Sequence, residues 1–87
     1  MPAGSPKITG RQVAGARGLL GLSQEALAVA CDLTSYTIST FETGTHQPRT
    51  KTIEIIRVEL ERRGVEFING RGVILKKTTA DETPAEP

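Results

Sequence analysis

The chain has 87 residues, a net charge of +1, one tyrosine, two phenylalanines and no tryptophan. This length fits a single domain with a modest, aliphatic core. The single cysteine, Cys31, excludes an intramolecular disulfide framework and any zinc site built from several cysteines. We expect no metal, no cofactor and no enzymatic activity, because the sequence has no glycine-rich phosphate loop after a strand and no nucleophile with an obvious base.

The ends of the chain differ in composition from its middle. The N-terminal segment MPAGSPK lacks the apolar region of a secretory signal, and no apolar run approaches the roughly 18 residues of a membrane span. We therefore expect a cytoplasmic protein that does not enter a membrane. Residues 1–7 are expected to form a flexible arm, residues 8–76 the folded domain, and residues 77–87 a disordered acidic tail.

Apolar residues at helical spacing predict a first helix from Ile8 to Leu20. Thr9 is its candidate N-cap, because a threonine hydroxyl can accept from the free N–H groups of the first turn. The apolar positions of this helix are Val13, Ala16 or Ala14, Leu19 and Leu20.

The stretch from Ser23 to Gly44 predicts two short helices joined by a tight turn. Ser23 is the candidate N-cap of the first, and Asp32 is expected to end it, because Asp tolerates left-handed backbone angles. Thr34 or Ser35 is expected to cap the second helix, with Gly44 just past its end. The predicted core positions are Leu27, Ala28, Cys31, Ile38 and Phe41, and the predicted outward positions are Ser35, Tyr36, Thr37 and Thr40.

A fourth helix is predicted after the loop THQPRTKT, with Thr50 or Thr52 as its cap and Arg63 as its last residue before Gly64. Its core stripe is predicted to be Ile53, Ile56 and Leu60. Ile55 and Val58 form a second apolar face, which needs cover from the C-terminal segment or from a second subunit.

The segment VEFINGRGVILKK predicts a β-hairpin over residues 65–76. Residues 65–68 and 72–76 are its strands, and Asn69-Gly70 is typical of a type I′ turn. We expect the hairpin to pack on the fourth helix and its free edge to suit pairing with a second copy. The predicted fold is mainly α, with four helices and this C-terminal hairpin.

Part of the chain follows a family pattern, S-Q-x-x-L-A-x-x-x-G-h-S-x-x-T-I-S-x-h-E-x-G, where h is apolar. The matching residues are Ser23, Gln24, Leu27, Ala28, Leu33, Thr37, Ile38, Ser39, Phe41, Glu42 and Gly44. The segment resembles the helix-turn-helix of the lambda-repressor-like family, also called the Cro or xenobiotic-response-element family. With its flanking helices the resemblance covers about residues 8–64, and Asp32 stands where the family has a turn glycine.

The resemblance implies a four-helix lambda-repressor-like domain that binds duplex DNA. A dimer would place two helices in successive major grooves about 34 Å apart, as a transcriptional regulator reading a specific site. By the same resemblance, Ser35, Tyr36 and Thr40 are the candidates for reading bases. The candidates for contacting the DNA backbone are Gln24, Thr37, Arg11, Arg17, Arg49 and Lys51.

The distribution of charge leaves a second hypothesis open. Residues 23–44 contain three acidic residues and no Lys or Arg, although residues 1–77 carry eleven Lys and Arg against seven acids, a net +4. Neutralising phosphates supplies most sequence-independent DNA affinity. The alternative is therefore a protein-binding anti-activator that sequesters a transcription factor without binding DNA, and its candidate contact residues are Ile55, Val58, Val73 and Leu75.

Overall fold

Four helices and one β-hairpin form the chain in the computed structural model, which describes residues 7–69 and 71–76. In chain order they are α1 (Gly10–Leu20), α2 (Gln24–Cys31), α3 (Ser35–Thr43), α4 (Thr50–Arg62), β1 (Val65–Ile68) and β2 (Gly72–Leu75). The predicted mainly helical fold with a C-terminal hairpin is confirmed. The predicted arm, apart from Lys7, and the predicted tail lie outside the described residues.

Side-chain hydroxyls cap the first three helices. The hydroxyl oxygens of Thr9, Ser23 and Thr34 each accept a hydrogen bond from the backbone N–H three residues further on. Each bond satisfies one of the donors that the first turn leaves without a partner. The predicted caps at Thr9 and Ser23 are confirmed, and Thr34 rather than Ser35 caps α3.

Left-handed residues end α2 and α3. Asp32 has φ 59° after α2, and Gly44 has φ 79° after α3, as predicted. The N–H of Leu33 donates to the carbonyl oxygen of Ala28 at 2.8 Å, which closes the end of α2 and turns the chain into α3. Only Asp32, Leu33 and Thr34 separate the two helices.

The predicted start of α4 is wrong. Arg49 occupies the N-cap position without a side-chain hydrogen bond, and Thr50 is already helical. Pro48 is buried, and the extended Arg49 after it (φ −63°, ψ 154°) takes the N-cap position, so the helix begins at Thr50, one residue earlier than a cap at Thr50 would place it. The helix ends at Arg62, with Gly64 at φ 104° just beyond, as a glycine stop predicts.

One aliphatic core joins all four helices to β1. The predicted core residues of α2, α3 and α4 are all buried within it. Val13 and Ala16 of α1 are also buried, but Leu19 is exposed, because α1 turns that side to solvent. Two residues outside the helices complete the core, Ile8 before α1 and Val65 at the start of β1.

The hairpin packs with β2 against α1 and β1 against α4. The hairpin does not cover the second apolar face of α4, where Ile55 and Val58 stay 40% and 50% exposed, so cover by the hairpin is wrong and cover by a second subunit stays a prediction. The pairing of Ile68 with Gly72 leaves three residues in the turn rather than the two of a type I′ hairpin. Asn69 has the positive φ that such a turn needs, 40°, and Gly70 lies outside the described residues.

The start of α1 lies directly on the end of α3. A Cβ atom at Gly10 would overlap the carbonyl oxygen of Phe41 and lie 2.9 Å from the Cα of Glu42. Only glycine permits this close approach of the two backbones. Across residues 7–69 and 71–76, no helix combines the length and the apolar character needed to traverse a lipid bilayer.

Candidate functional site

The outward face of α3 is the first part of the candidate site. Tyr36, Thr40 and Thr43 follow one another at i, i+4 and i+7, opposite the buried Ile38 and Phe41. The Tyr36 side chain is 72% exposed, the largest apolar area on this helix that faces solvent. The helix therefore presents a continuous stripe of one phenol and two threonines, which we call the α3 stripe (Tyr36, Thr40 and Thr43).

Hydrogen bonds within the helix orient the threonines of the α3 stripe. The Thr40 hydroxyl donates to the carbonyl oxygen of Tyr36 at 2.9 Å, and the Thr43 hydroxyl donates to that of Thr40 at 3.3 Å. The Thr40 proton is thereby used, whereas the Thr43 hydroxyl also lies 3.0 Å from the Thr45 hydroxyl, and either of those two can be the donor. Both threonines offer oxygen lone pairs and a methyl group. The Tyr36 hydroxyl makes no hydrogen bond to the described residues and keeps both a donor and an acceptor.

The other candidates on α3 flank this stripe. Ser35 is half-buried at the start of the helix, and its hydroxyl has no hydrogen-bond partner within residues 7–69 and 71–76. The Thr37 hydroxyl lies 3.1 Å from that of Thr34, while its backbone N–H donates to the same Thr34 oxygen at 3.2 Å. Thr37 therefore belongs to the capped first turn of α3, beside the stripe rather than on it.

Arg17 and Gln24 were candidates for contacting the DNA backbone, but in the structure both bind Glu42. Arg17 donates from Nε and Nη2 to the two carboxylate oxygens of Glu42, at 2.6 and 2.8 Å, and from Nη1 to the carbonyl oxygen of Leu22 at 2.9 Å. Gln24 donates to Oε1 of Glu42 at 3.0 Å. The hydrogen bond to Glu42 raises the pKa of Arg17 above its usual value. This cluster joins α1, α2 and α3, and it neutralises the charge of Arg17.

The remaining basic candidates are exposed and differ from Arg17. Arg11 lies in the first turn of α1, Arg49 at the N-cap of α4, and Lys51 in the first turn of α4. None of these three forms an ion pair within the described part of the chain. Their charges are available to an external anion.

The arginines of α4, in contrast, are paired with carboxylates on the same helix. Arg57 binds Glu54 and Glu61, and Arg62 and Arg63 share Glu59, both at 2.7 Å. The hydrogen bond from Arg62 holds the pKa of Glu59 below its usual range, and Arg57 does the same to Glu54. These pairs at i, i+3 and i, i+4 leave α4 with little net charge between its first turn and its end.

The candidate protein-contact residues lie on different surfaces. Ile55 and Val58 border a shallow apolar groove together with Ala30 of α2. Leu75 is partly exposed at the end of β2, but Val73 is half-buried and packs against the core. The structure therefore leaves an apolar surface on α4, while Val73 is only partly exposed.

The side chains of Cys31 and His46 are of reactive types, and each lies in ordinary surroundings, one in the core and one in a loop. Cys31 is buried in the core, and its burial raises the pKa of the thiol. His46 is exposed in the loop after α3. Among the residues that the structure describes, no group of three or more His, Cys, Asp or Glu side chains is placed to hold a metal ion.

The sequence patterns did not single out Thr43 or Gln12. Thr43 lies seven residues after Tyr36, so the helical period alone was enough to place it on the same face. Gln12 is buried, and its amide accepts from the Thr9 N–H at 2.8 Å and donates to the carbonyl oxygen of Gly72 at 3.0 Å. The spacing Thr9-x-x-Gln12 indicates a capping box, but nothing local points to Gly72.

Comparison with models of known protein families and with curated protein sequences gives no match for this chain. Its function is therefore inferred from its own residues.

Proposed function

We propose that the chain is a helix-turn-helix transcriptional regulator that binds a specific site in duplex DNA, with α2 and α3 as the helix-turn-helix. The observation that carries this proposal is the α3 stripe: a helix face of hydrogen-bonding side chains in which Tyr36 and Thr43 are exposed and Thr40 is partly exposed. Such a face on the second of two short helices suits insertion into a major groove. The resemblance of residues 23–44 to the lambda-repressor-like pattern supports the same function.

The chemistry of the α3 stripe determines which bases it suits. Thr40, whose proton is used inside the helix, and Thr43 offer acceptors to the amino groups of adenine or cytosine and methyl groups to thymine. Tyr36 offers a hydroxyl at the end of an exposed ring, and Ser35 offers a second one beside it. Because α3 contains no Arg, Asn or Gln for a bidentate base contact, we expect moderate discrimination between sequences.

Positive charge for the phosphates comes from outside the helix-turn-helix. Arg49 and Lys51 follow α3 in the chain, and Arg11 lies at the start of α1, all three exposed and without a carboxylate partner in the described residues. We assign Arg17 and Gln24 to positioning α3 through Glu42, since their donors already bind its carboxylate. Thr37 remains a candidate for a phosphate contact through the start of α3.

Two copies of the chain would read two half-sites. In this part of the proposal the exposed Ile55 and Val58, with Ala30, form the contact between copies, because an apolar surface of this kind is stabilised by being covered. To read two half-sites, such a symmetric dimer must present its two α3 helices one turn of DNA apart.

The test is selection of bound sequences from a pool of randomised duplexes, followed by affinity measurement across a salt series. The proposal predicts enrichment of one motif. It also predicts that Thr40→Val, which keeps the side-chain shape and removes the hydroxyl, weakens the preference at one base position only. Arg49→Ala should weaken binding to every sequence, with a smaller salt slope, and Arg62→Ala, a charge already paired with Glu59, is the control.

The protein-binding alternative is supported by the apolar groove of Ala30, Ile55 and Val58, together with the absence of Lys and Arg from residues 23–44. It predicts the reverse pattern. No motif would be enriched at any salt concentration, and a transcription factor would bind the chain with an affinity that Val58→Glu abolishes and Thr40→Val leaves unchanged.

A further inference from the structure

An open groove lies at the C-terminal end of α3, between that end, the start of α1 and the hairpin turn. Its walls carry Lys7 from the segment before α1, Arg11 from the first turn of α1, and Arg71 from the turn of the hairpin. No ion pair joins any of the three to a carboxylate within the described residues. We call this surface the basic groove (Lys7, Arg11 and Arg71).

Among the described residues, Glu42 is the carboxylate that borders the basic groove, and it does not neutralise it. Both oxygens of Glu42 accept hydrogen bonds from Arg17, and one also accepts from Gln24. The negative charge of Glu42 is therefore balanced from behind by Arg17. Three positive charges from three separate segments consequently face one open groove without a partner in the described part of the protein.

The basic groove continues from the α3 stripe. Thr43, the last residue of that stripe, also lines the groove, as do Gly44 and Gln47 from the loop that follows. Tyr36 and Thr43 are seven residues apart, which is about 10 Å along a helix axis. A ligand that covers Tyr36 and Thr40 and extends by one or two nucleotides beyond them reaches the groove.

A buried hydrogen bond fixes the position of Arg71. Gln12, buried in α1, donates to the carbonyl oxygen of Gly72 at 3.0 Å, and the N–H of Arg71 donates to the carbonyl oxygen of Ile68 at 2.8 Å. The first bond attaches the hairpin turn to the same helix turn that carries Arg11. The hairpin therefore adds a cation to the wall of the groove as well as completing the core.

We propose that the basic groove binds the sugar–phosphate backbone of duplex DNA next to the bases that face α3. This inference rests on the proposed function and adds Lys7 and Arg71 to its contacts. Separate flexible cations along an open groove suit a chain of phosphates, each carrying one charge, better than a single compact anion, which needs donors converging on one point. The hairpin thereby contributes directly to affinity for DNA.

The experiment compares Arg71→Ala, Lys7→Ala and Lys76→Ala on the selected duplex and on an unrelated duplex. Lys76 is exposed directly after β2, about 16 Å from Arg71 along the direction of that strand. The control Lys76→Ala removes the same charge as the other two variants. Losing one phosphate contact should reduce the slope of log K against log salt by about 0.9 and weaken binding about eightfold at 0.1 M salt. We expect this loss for Arg71→Ala and Lys7→Ala, on both duplexes alike, and no comparable loss for Lys76→Ala.

The outcomes separate this inference from the proposed function. If the wild type selects a motif but Arg71→Ala and Lys7→Ala bind like Lys76→Ala, the groove does not contact DNA and the regulator proposal stands. If the wild type binds no duplex, the regulator proposal fails first. Arg71→Gln, which keeps a long side chain, checks that the loss comes from charge rather than from packing, and matching melting curves show that the variants are folded.

A titration with inorganic phosphate distinguishes the source of the anion. We expect the amide signals of Arg11 and Arg71 to shift with the duplex at micromolar concentration and with sodium phosphate only weakly. Saturable shifts with sodium phosphate at micromolar concentration, without shifts from the duplex, would overturn the inference in favour of a small-anion site.

Discussion

Arg17 on α1 and Glu42 on α3 join these helices through two parallel hydrogen bonds, of 2.6 and 2.8 Å, with side chains only 20% and 7% exposed. Gln24 on α2 donates to the same carboxylate at 3.0 Å. The pair therefore fixes the orientation of α3 relative to both earlier helices. In the proposed regulator this sets the angle at which the α3 stripe faces a groove.

Glu42→Gln should destabilise the domain by about 2 kcal/mol, because it leaves the guanidinium of Arg17 without its charge partner in a poorly hydrated place. Urea unfolding followed by circular dichroism measures the change. Glu61→Gln, which breaks an exposed pair on α4, should stay within about 0.5 kcal/mol of the wild type. Equal losses in the free energy of unfolding for the two variants would show that the Arg17–Glu42 pair stabilises the fold no more than an exposed pair does.

Gly10→Ala and Gly18→Ala should change stability in opposite directions, although both add one methyl group to α1. At Gly10 the new Cβ would overlap the backbone of Phe41, so we expect a loss of about 1–3 kcal/mol. At Gly18 nothing lies within 4 Å, so better helix propensity should give a gain of about 0.5–1 kcal/mol. Thermal unfolding of both variants checks the prediction, which is contradicted if Gly10→Ala is neutral.

Gln12→Leu should loosen the hairpin more than the helices. It replaces the amide with an apolar side chain of similar size and leaves the Thr9 N–H and the Gly72 carbonyl oxygen without their partner, at a cost of about 1–3 kcal/mol. Amide hydrogen exchange should therefore accelerate in β1 and β2 at conditions where α2 and α3 keep their protection. Uniform acceleration in all elements would mean that the amide acts on global stability and does not fix the hairpin.

Acid should destabilise the domain partly through α4. The pKa of Glu59 is lowered from its usual value near 4.5, chiefly by the hydrogen bond from Arg62. A carboxyl group with a lower pKa in the folded state stabilises the fold above its unfolded pKa and loses that contribution as pH falls through the folded value. Glu59→Gln should therefore show a smaller drop in melting temperature between pH 5 and pH 3 than the wild type.

Glu66→Gln is the matched control for this pH series. Glu66 is exposed on β1 and has no ion pair within the described residues. Its variant should follow the wild-type curve, and a flattened curve for Glu66→Gln but not for Glu59→Gln would refute the assignment.

The elements predicted correctly from the sequence are those whose causes are local. A hydroxyl three residues before a free N–H caps a helix, and Asp32 and Gly44 end helices because of their own backbone preferences. The strands of the hairpin were predicted for the same reason. The start of α4 was missed, because Arg49 takes the N-cap position without a side-chain hydrogen bond, which no capping pattern in the sequence indicates.

The features that sequence reasoning missed depend on residues far apart in the chain. Gln12 binds a carbonyl oxygen 60 residues away, and Arg17 binds a carboxylate 25 residues away. Val73 is half-buried because β2 packs against α1, which no local period determines. For the candidate site this means that most of the α3 stripe could be predicted from the sequence, whereas which arginines are paired with a carboxylate could not.

The most direct test of the central claim is a ¹H–¹⁵N titration of the full chain with the duplex selected from the randomised pool. We expect the largest shifts at the amides of Tyr36, Thr40 and Thr43, with smaller shifts at Arg49 and Lys51. Shifts confined to α4 around Ile55 and Val58, with the amides of the α3 stripe unchanged at saturation, would contradict the claim that this face of α3 reads DNA.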